Sequence, residues 1–120
     1  MNNIKIFFII HVSRSKKIKK IIQSFFKNKN EKIFLLRSKY KGHTSVLTKN
    51  AIKQNANIIV ACGGDGTINE IINQIVNTQI KLGILPLGSG NGIAKHFKIP
   101  NNINQALNLI ISNNSKFSDL

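Results

Sequence analysis

Apolar positions along the 120-residue chain switch repeatedly between continuous runs and helical spacing. The first run, Ile4-Lys5-Ile6-Phe7-Phe8-Ile9-Ile10-His11-Val12, is almost unbroken and rich in β-branched and aromatic residues. A strand covered on both faces of a parallel sheet has this composition. Ile18, Ile21, Ile22, Phe25 and Phe26 then recur at i, i+3, i+4, i+7 and i+8, one face of a helix whose other face is filled with lysine. Lys32-Ile33-Phe34-Leu35-Leu36 predicts a second strand, and Val46, Leu47, Ala51 and Ile52 the inward face of a weaker helix. Asn57 to Cys62 predicts a third strand. After Gly63-Gly64-Asp65-Gly66 the helical spacing returns through Ile68, Ile71, Ile72, Ile75 and Val76. Leu82-Gly83-Ile84-Leu85, ended by Pro86, predicts a fourth strand. A Gly-rich loop from Leu87 to Gly92 leads into a short helix through Ile93, Ala94 and Phe97, stopped by Ile99-Pro100. Ile103, Ala106, Leu107, Ile110 and Ile111 predict a last helix, and Lys116 to Leu120 the start of a further strand.

The resulting order, β-α-β-α-β-α-β-α-α, is that of an α/β fold with a mostly parallel sheet flanked by helices. The length suits a single domain, residues 1–120. Open parallel sheets bind ligands at the carboxyl ends of their strands. Both Gly-rich loops follow strands, so both are expected on that edge.

Composition narrows the picture less than the pattern does. A hydrophobic content of 42% is that of a globular chain, and the single cysteine, Cys62, rules out an internal disulfide. Cys62 closes an apolar run and reads as core filling. The balance of 18 basic against 4 acidic residues gives a net charge of +14. Such a field attracts phosphates, nucleotides, nucleic acid or an anionic membrane surface. The chain is also rich in lysine, asparagine and isoleucine with Arg14 and Arg37 its only arginines, a bias that AT-rich codons produce. Charge alone therefore identifies no partner. Lysines spread along every segment, without one stripe of interleaved aromatics, argue against a specific nucleic-acid partner. No apolar run reaches membrane-spanning length, and Ile4–Val12 lacks a small-residue cleavage site after it. The expectation is a cytoplasmic protein, with peripheral contact at the inner membrane face left open. His11, His43 and His96 lack metal-ligand spacing and read as core-edge or surface residues, so no protein-built metal site is expected.

Two loops can carry chemistry. Gly63-Gly64-Asp65-Gly66-Thr67 joins a buried strand to a helix start. Glycines there let a phosphate approach the backbone, and the helix offers free N–H groups and its positive dipole end. Asp65 can hold Mg²⁺ through water or accept a proton from a hydroxyl; Thr67 can donate to a phosphate or cap the helix. The same residues also make an ordinary tight turn. Leu85-Pro86-Leu87-Gly88-Ser89-Gly90-Asn91-Gly92 repeats the arrangement, with Ser89 and Asn91 suited to phosphate, ribose or helix capping. Two such loops on one edge would wall a cleft. Glu70, in the first turns of the helix after the first loop, is expected to brace that loop.

At these residues the chain resembles the diacylglycerol kinase catalytic-domain family, which includes sphingosine kinases and bacterial lipid kinases. Gly63-Gly64-Asp65-Gly66-Thr67-Ile68-Asn69-Glu70 is similar to its first nucleotide-binding signature and Gly83 to Asn91 to its second. Gly42-His43 and the stretch from Ala94 to Ile99-Pro100 also resemble the family pattern. The resemblance implies the N-terminal α/β fold shared with NAD kinases and phosphofructokinases. It implies transfer of the ATP γ-phosphoryl group to a lipid hydroxyl, diacylglycerol or a related membrane alcohol, with Mg²⁺. Carried over by position, Gly63, Gly64, Gly66 and Thr67 would embrace the phosphates, with Asp65 the catalytic acidic residue. Gly88, Ser89, Gly90 and Asn91 would form the opposite wall. Three features depart from the family. His11-Val12-Ser13-Arg14-Ser15 has neither the proline nor the glycine usual after strand one, leaving Arg14 and Lys16 to attract phosphate. Gly92 stands where many members have aspartate. The lipid-binding β domain of family enzymes is expected to be missing after Leu120. An NAD kinase-like enzyme is compatible with the first loop but not the second; a non-catalytic basic remnant binding nucleotide, nucleic acid or anionic membrane is the third reading.

Overall fold

A computed structural model of the chain describes residues 4–88 and 91–112. The expected strand over 116–120 lies outside the described residues. The elements follow the expected order: β1 (Lys5–His11), a 3₁₀ turn (Val12–Arg14), α1 (Ser15–Phe25), β2 (Lys32–Ser38), α2 (His43–Lys53), β3 (Ile58–Gly63), α3 (Asp65–Ile75), β4 (Lys81–Pro86), α4 (Gly92–His96) and α5 (Ile103–Ile111).

The four strands form one sheet in the order β2-β1-β3-β4, and every neighbouring pair is parallel. The continuous apolar runs have the reason anticipated from the sequence. Ile6 through Ile10 in β1 and Ile58 through Gly63 in β3 are buried on both faces, as central strands under two helical layers must be.

Register shows which helices share a face. Phe8, Val60 and Gly83 stand in one row across β1, β3 and β4. Phe8 packs edge-on against Phe26, just past the end of α1, with centroids 5.8 Å apart. In the same row, a side chain at Gly83 would begin 2.9 Å from Ile110 of α5. So α1 and α5 cover one face, and the missing side chain at 83 lets α5 lie close to β4. On the other face Phe7 stacks on Phe34 of β2 at 4.3 Å and 11°. α2 packs against β1 and β2, α3 packs against β3, and the two helices pack on each other.

Three details differ from the sequence reading. Val46 is 47% exposed and does not face inward; Thr44, Thr48 and Ala51 do, with Leu47 half-buried. Thr48 can be buried because its hydroxyl donates to the Thr44 carbonyl at 2.7 Å, which satisfies the polar atom within the helix. Val76 is 44% exposed because α3 ends at Ile75, with Val76 at its C-cap. Val12 leaves β1 for the 3₁₀ turn and is exposed. Cys62 is fully buried in the core, and desolvation pushes its thiol pKa upward. Among the described residues no helix is long and apolar enough to cross a membrane.

Candidate functional site

The chain leaves β1 toward β2 on one side and later returns to place β3 on the other. The carboxyl ends of β1 and β3 therefore diverge at a topological switch point, where open α/β sheets bind ligands. His11 ends β1 and Gly63 ends β3. A cavity of about 190 Å³ lies there, lined by His11, Ser13, Gly63, Gly64, Leu87 and Gly88. A larger one of about 650 Å³ shares His11 and Gly64 with it. It runs between the turn after β2, from Ser38 to Gly42, and the start of α3, at Gly66, Thr67 and Glu70.

The two Gly-rich loops meet backbone to backbone. The Leu87 N–H donates to the Gly63 carbonyl at 3.2 Å, continuing the β3–β4 ladder past the strand ends. Beyond it, Gly64 and Gly88 touch. A Cβ at Gly88 would stand 2.5 Å from Gly64 Cα and 3.1 Å from Gly64 N, a clash that only backbone movement could relieve. Glycine at 88 is thus a condition for the two loops to close on each other.

Asp65 completes the joint. It is the first residue of α3, after an extended Gly64 N-cap. Its Oδ1 accepts the backbone N–H of Ile93, at the start of α4, at 3.0 Å. The first loop thereby supplies the carboxylate that satisfies a free amide of the second loop's helix. The other oxygen, Oδ2, faces Gly92, where a Cβ would come within 3.1 Å of it. A glycine at 92, in place of a larger residue, keeps that oxygen uncrowded.

Gly64, Gly66 and Thr67 line the large cavity at the N-terminus of the eleven-residue α3. There the first-turn amides lack partners within the helix and the dipole favours an anion. Thr67 is buried with its hydroxyl beside Gly63, so it does not cap α3; a Cβ at Gly63 would lie 2.7 Å from Thr67 Oγ1. Asn91 is the N-cap residue of α4 in a left-handed conformation, φ 50°, and its side chain makes no capping bond. Its Oδ1 is buried without a hydrogen-bond partner among the described residues. Ser89, Gly90 and the side chain of Arg14 lie outside the described residues. Glu70, expected as a brace, lines the large cavity.

Sequence reasoning read His11 as a core-edge or surface residue, although it singled out the His11–Ser15 stretch, and it missed Tyr40. His11 lines both cavities, and its Nδ1 accepts the Ser13 N–H at 3.2 Å and lies 2.7 Å from Ser13 Oγ. Tyr40 sits at the large cavity's edge between Lys39 and Lys41. Tyr40 belongs to no motif, and His11 opens a stretch that departs from the family pattern. The available signal was position, since His11 ends β1 and Tyr40 follows β2, both on the ligand-binding edge.

Fold and site define an α/β domain with paired glycine loops over a switch point. Residues 5–120 match the diacylglycerol kinase catalytic domain family. The chain belongs to that family. A diacylglycerol kinase of Staphylococcus aureus (strain JH9) is 36% identical over 81 residues, which are 66% of this chain and 26% of that protein. The crystal structure of a diacylglycerol kinase from Bacillus anthracis str. Sterne superposes with a TM-score of 0.72 at 22% identity, covering 92% of this chain and 44% of that one. The structural likeness establishes the α/β fold. The sequence match spans about a quarter of the length of the curated relative.

Proposed function

We propose that residues 1–120 form the nucleotide-binding α/β domain of an ATP-dependent lipid kinase of the diacylglycerol kinase type. The reaction is transfer of the γ-phosphoryl group of Mg·ATP to a lipid hydroxyl, of diacylglycerol or a related membrane alcohol. The hydroxyl oxygen forms the new bond to phosphorus, the bond from γ-phosphorus to the bridging oxygen breaks, and the hydroxyl proton passes to a base. The observation that carries the reading is the joint between the loops: Gly64 against Gly88, locked by Asp65 on the Ile93 amide. Family membership supports a lipid acceptor over NAD.

Phosphoryl transfer needs positioning and charge neutralisation more than covalent chemistry. The amides at Gly64, Gly66 and Thr67 offer donors to phosphate oxygens. Gly88 lines the smaller cavity next to them, and Asn91 would belong to the same side of the site. Mg²⁺ is usually held by one or two carboxylates together with phosphates and water, and Asp65 is the carboxylate at the joint of the loops. Asp65, with Oδ1 on the Ile93 amide, would hold the ion through Oδ2. When bound, the ion neutralises charge on the phosphates. A lipid acceptor sets the work at a membrane surface, and a cytoplasmic protein meeting the anionic inner face suits the +14 charge.

Calorimetric titration with Mg·ATP tests this reading. The wild-type chain is expected to bind one equivalent, and Gly88→Val to lose binding while keeping the far-ultraviolet spectrum of the wild type. Absence of heat at millimolar Mg·ATP would refute it. Binding of NAD in place of Mg·ATP would favour the NAD kinase-like reading.

A further inference from the structure

We propose that the ring of Tyr40 is the stacking platform for the nucleotide's base, an inference that rests on the nucleotide-binding reading above. Tyr40 is 62% exposed, more than any other large hydrophobic side chain among the described residues. The ring is nevertheless held in place. It stacks on His43, with centroids 4.3 Å apart and planes 7° from parallel. His43 is itself fixed, because its Nδ1 accepts the Lys39 backbone N–H at 2.9 Å. The His43 N–H donates to the Tyr40 carbonyl at 3.0 Å, closing the turn. Gly42, with φ at +89°, supplies the left-handed residue that folds the turn back on itself.

Tyr40 lines the cavity of about 650 Å³ and His43 does not. His43 covers one face of the ring, so a base stacked on Tyr40 would lie on the other face. A cavity of this size falls within the range of about 300–1,000 Å³ usual for small-molecule pockets. Across it stand Gly64, Gly66 and Thr67 at the start of α3, whose free amides favour an anion. Lys39 and Lys41 flank the ring on the near wall. One end of the cavity thus offers a flat, pre-positioned aromatic face and the other offers anion-binding amides. A ligand with an aromatic base and a phosphate tail matches both ends at once. The base lies on Tyr40 and the phosphates run past Gly64 toward the smaller cavity at the switch point.

The composition supplies a clean test, because Tyr40 is the chain's one tyrosine and there is no tryptophan. Intrinsic fluorescence therefore reports this ring alone. Titrations with Mg·ATP, adenosine and inorganic tripolyphosphate separate base from phosphate. Mg·ATP and adenosine should quench the emission, and tripolyphosphate should leave it unchanged. In calorimetry, Tyr40→Ala should weaken Mg·ATP binding by about tenfold or more, from the loss of base–aromatic stacking, with tripolyphosphate binding unaltered. Tyr40→Phe keeps the ring and should bind Mg·ATP as the wild type does. Mg·ATP binding without quenching, and with equal affinity in Tyr40→Ala, would overturn the platform and leave the nucleotide reading standing. A wild-type chain that binds no Mg·ATP would overturn both.

Discussion

Replacing Asp65 with alanine leaves the Ile93 N–H without its side-chain acceptor. The bond is 3.0 Å long, partly buried and made to a carboxylate, and it joins residues 28 apart in sequence. A hydrogen bond to a charged group contributes about 1.5–3 kcal/mol, a neutral one about 0.5–1.5 kcal/mol. Asp65→Ala should therefore destabilise the fold by about 2 kcal/mol. Asp65→Asn, which keeps an oxygen in place but not the charge, should cost about half as much. For a domain of this size 1 kcal/mol corresponds to roughly 4 °C in midpoint temperature. Thermal and urea unfolding of the three proteins measure the order wild type, Asn, Ala. Hydrogen exchange at the Ile93 amide measures the cause, since its protection should fall in Asp65→Ala while β1 and β3 amides stay protected until global unfolding. An Asp65→Ala chain as stable as wild type, with Ile93 exchange unchanged, would refute the claim that this carboxylate ties the loops together.

Other consequences can be checked more briefly. Gly88→Ala places a methyl group 2.5 Å from Gly64 Cα; as an overpacked contact it should cost about 1–3 kcal/mol in urea unfolding and weaken Mg·ATP binding in calorimetry. Gly83→Val should destabilise more than Gly83→Ala, because even the first added carbon lies 2.9 Å from Ile110 and 3.0 Å from Val60, and α5 must lift from the sheet. Equilibrium unfolding ranks the two. The Cys62 thiol, buried and with its pKa raised, should resist a disulfide thiol reagent at neutral pH until denaturant is added, as absorbance of the released thiolate will show.

The fold was readable because its core is written in long apolar runs. Ile6 to Ile10 and Ile58 to Cys62 allow few placements other than central parallel strands. The edge carrying both glycine loops followed from the strand-loop-helix order. What stayed hidden was tertiary. The Asp65–Ile93 tie depends on β3 and β4 being neighbours, which no local pattern encodes. The inner face of α2 was misread at Val46 because hydrophobicity was taken as burial; threonine, with its hydroxyl bonded inside the helix, faces the core instead. Tyr40 carries no motif, and it and His11 became candidates only once the sheet order brought the ends of β1, β2 and β3 around one cavity.

The central claim is that both glycine loops form one nucleotide site. Amide chemical-shift mapping of the ¹⁵N-labelled chain during titration with Mg·ATP tests it most directly. Saturating shifts of the same midpoint are expected at Gly64, Gly66 and Thr67 on one loop and at Gly88, Asn91 and Ile93 on the other. Shifts confined to one loop, or scattered over the lysines of α1 with neither loop responding, would contradict it.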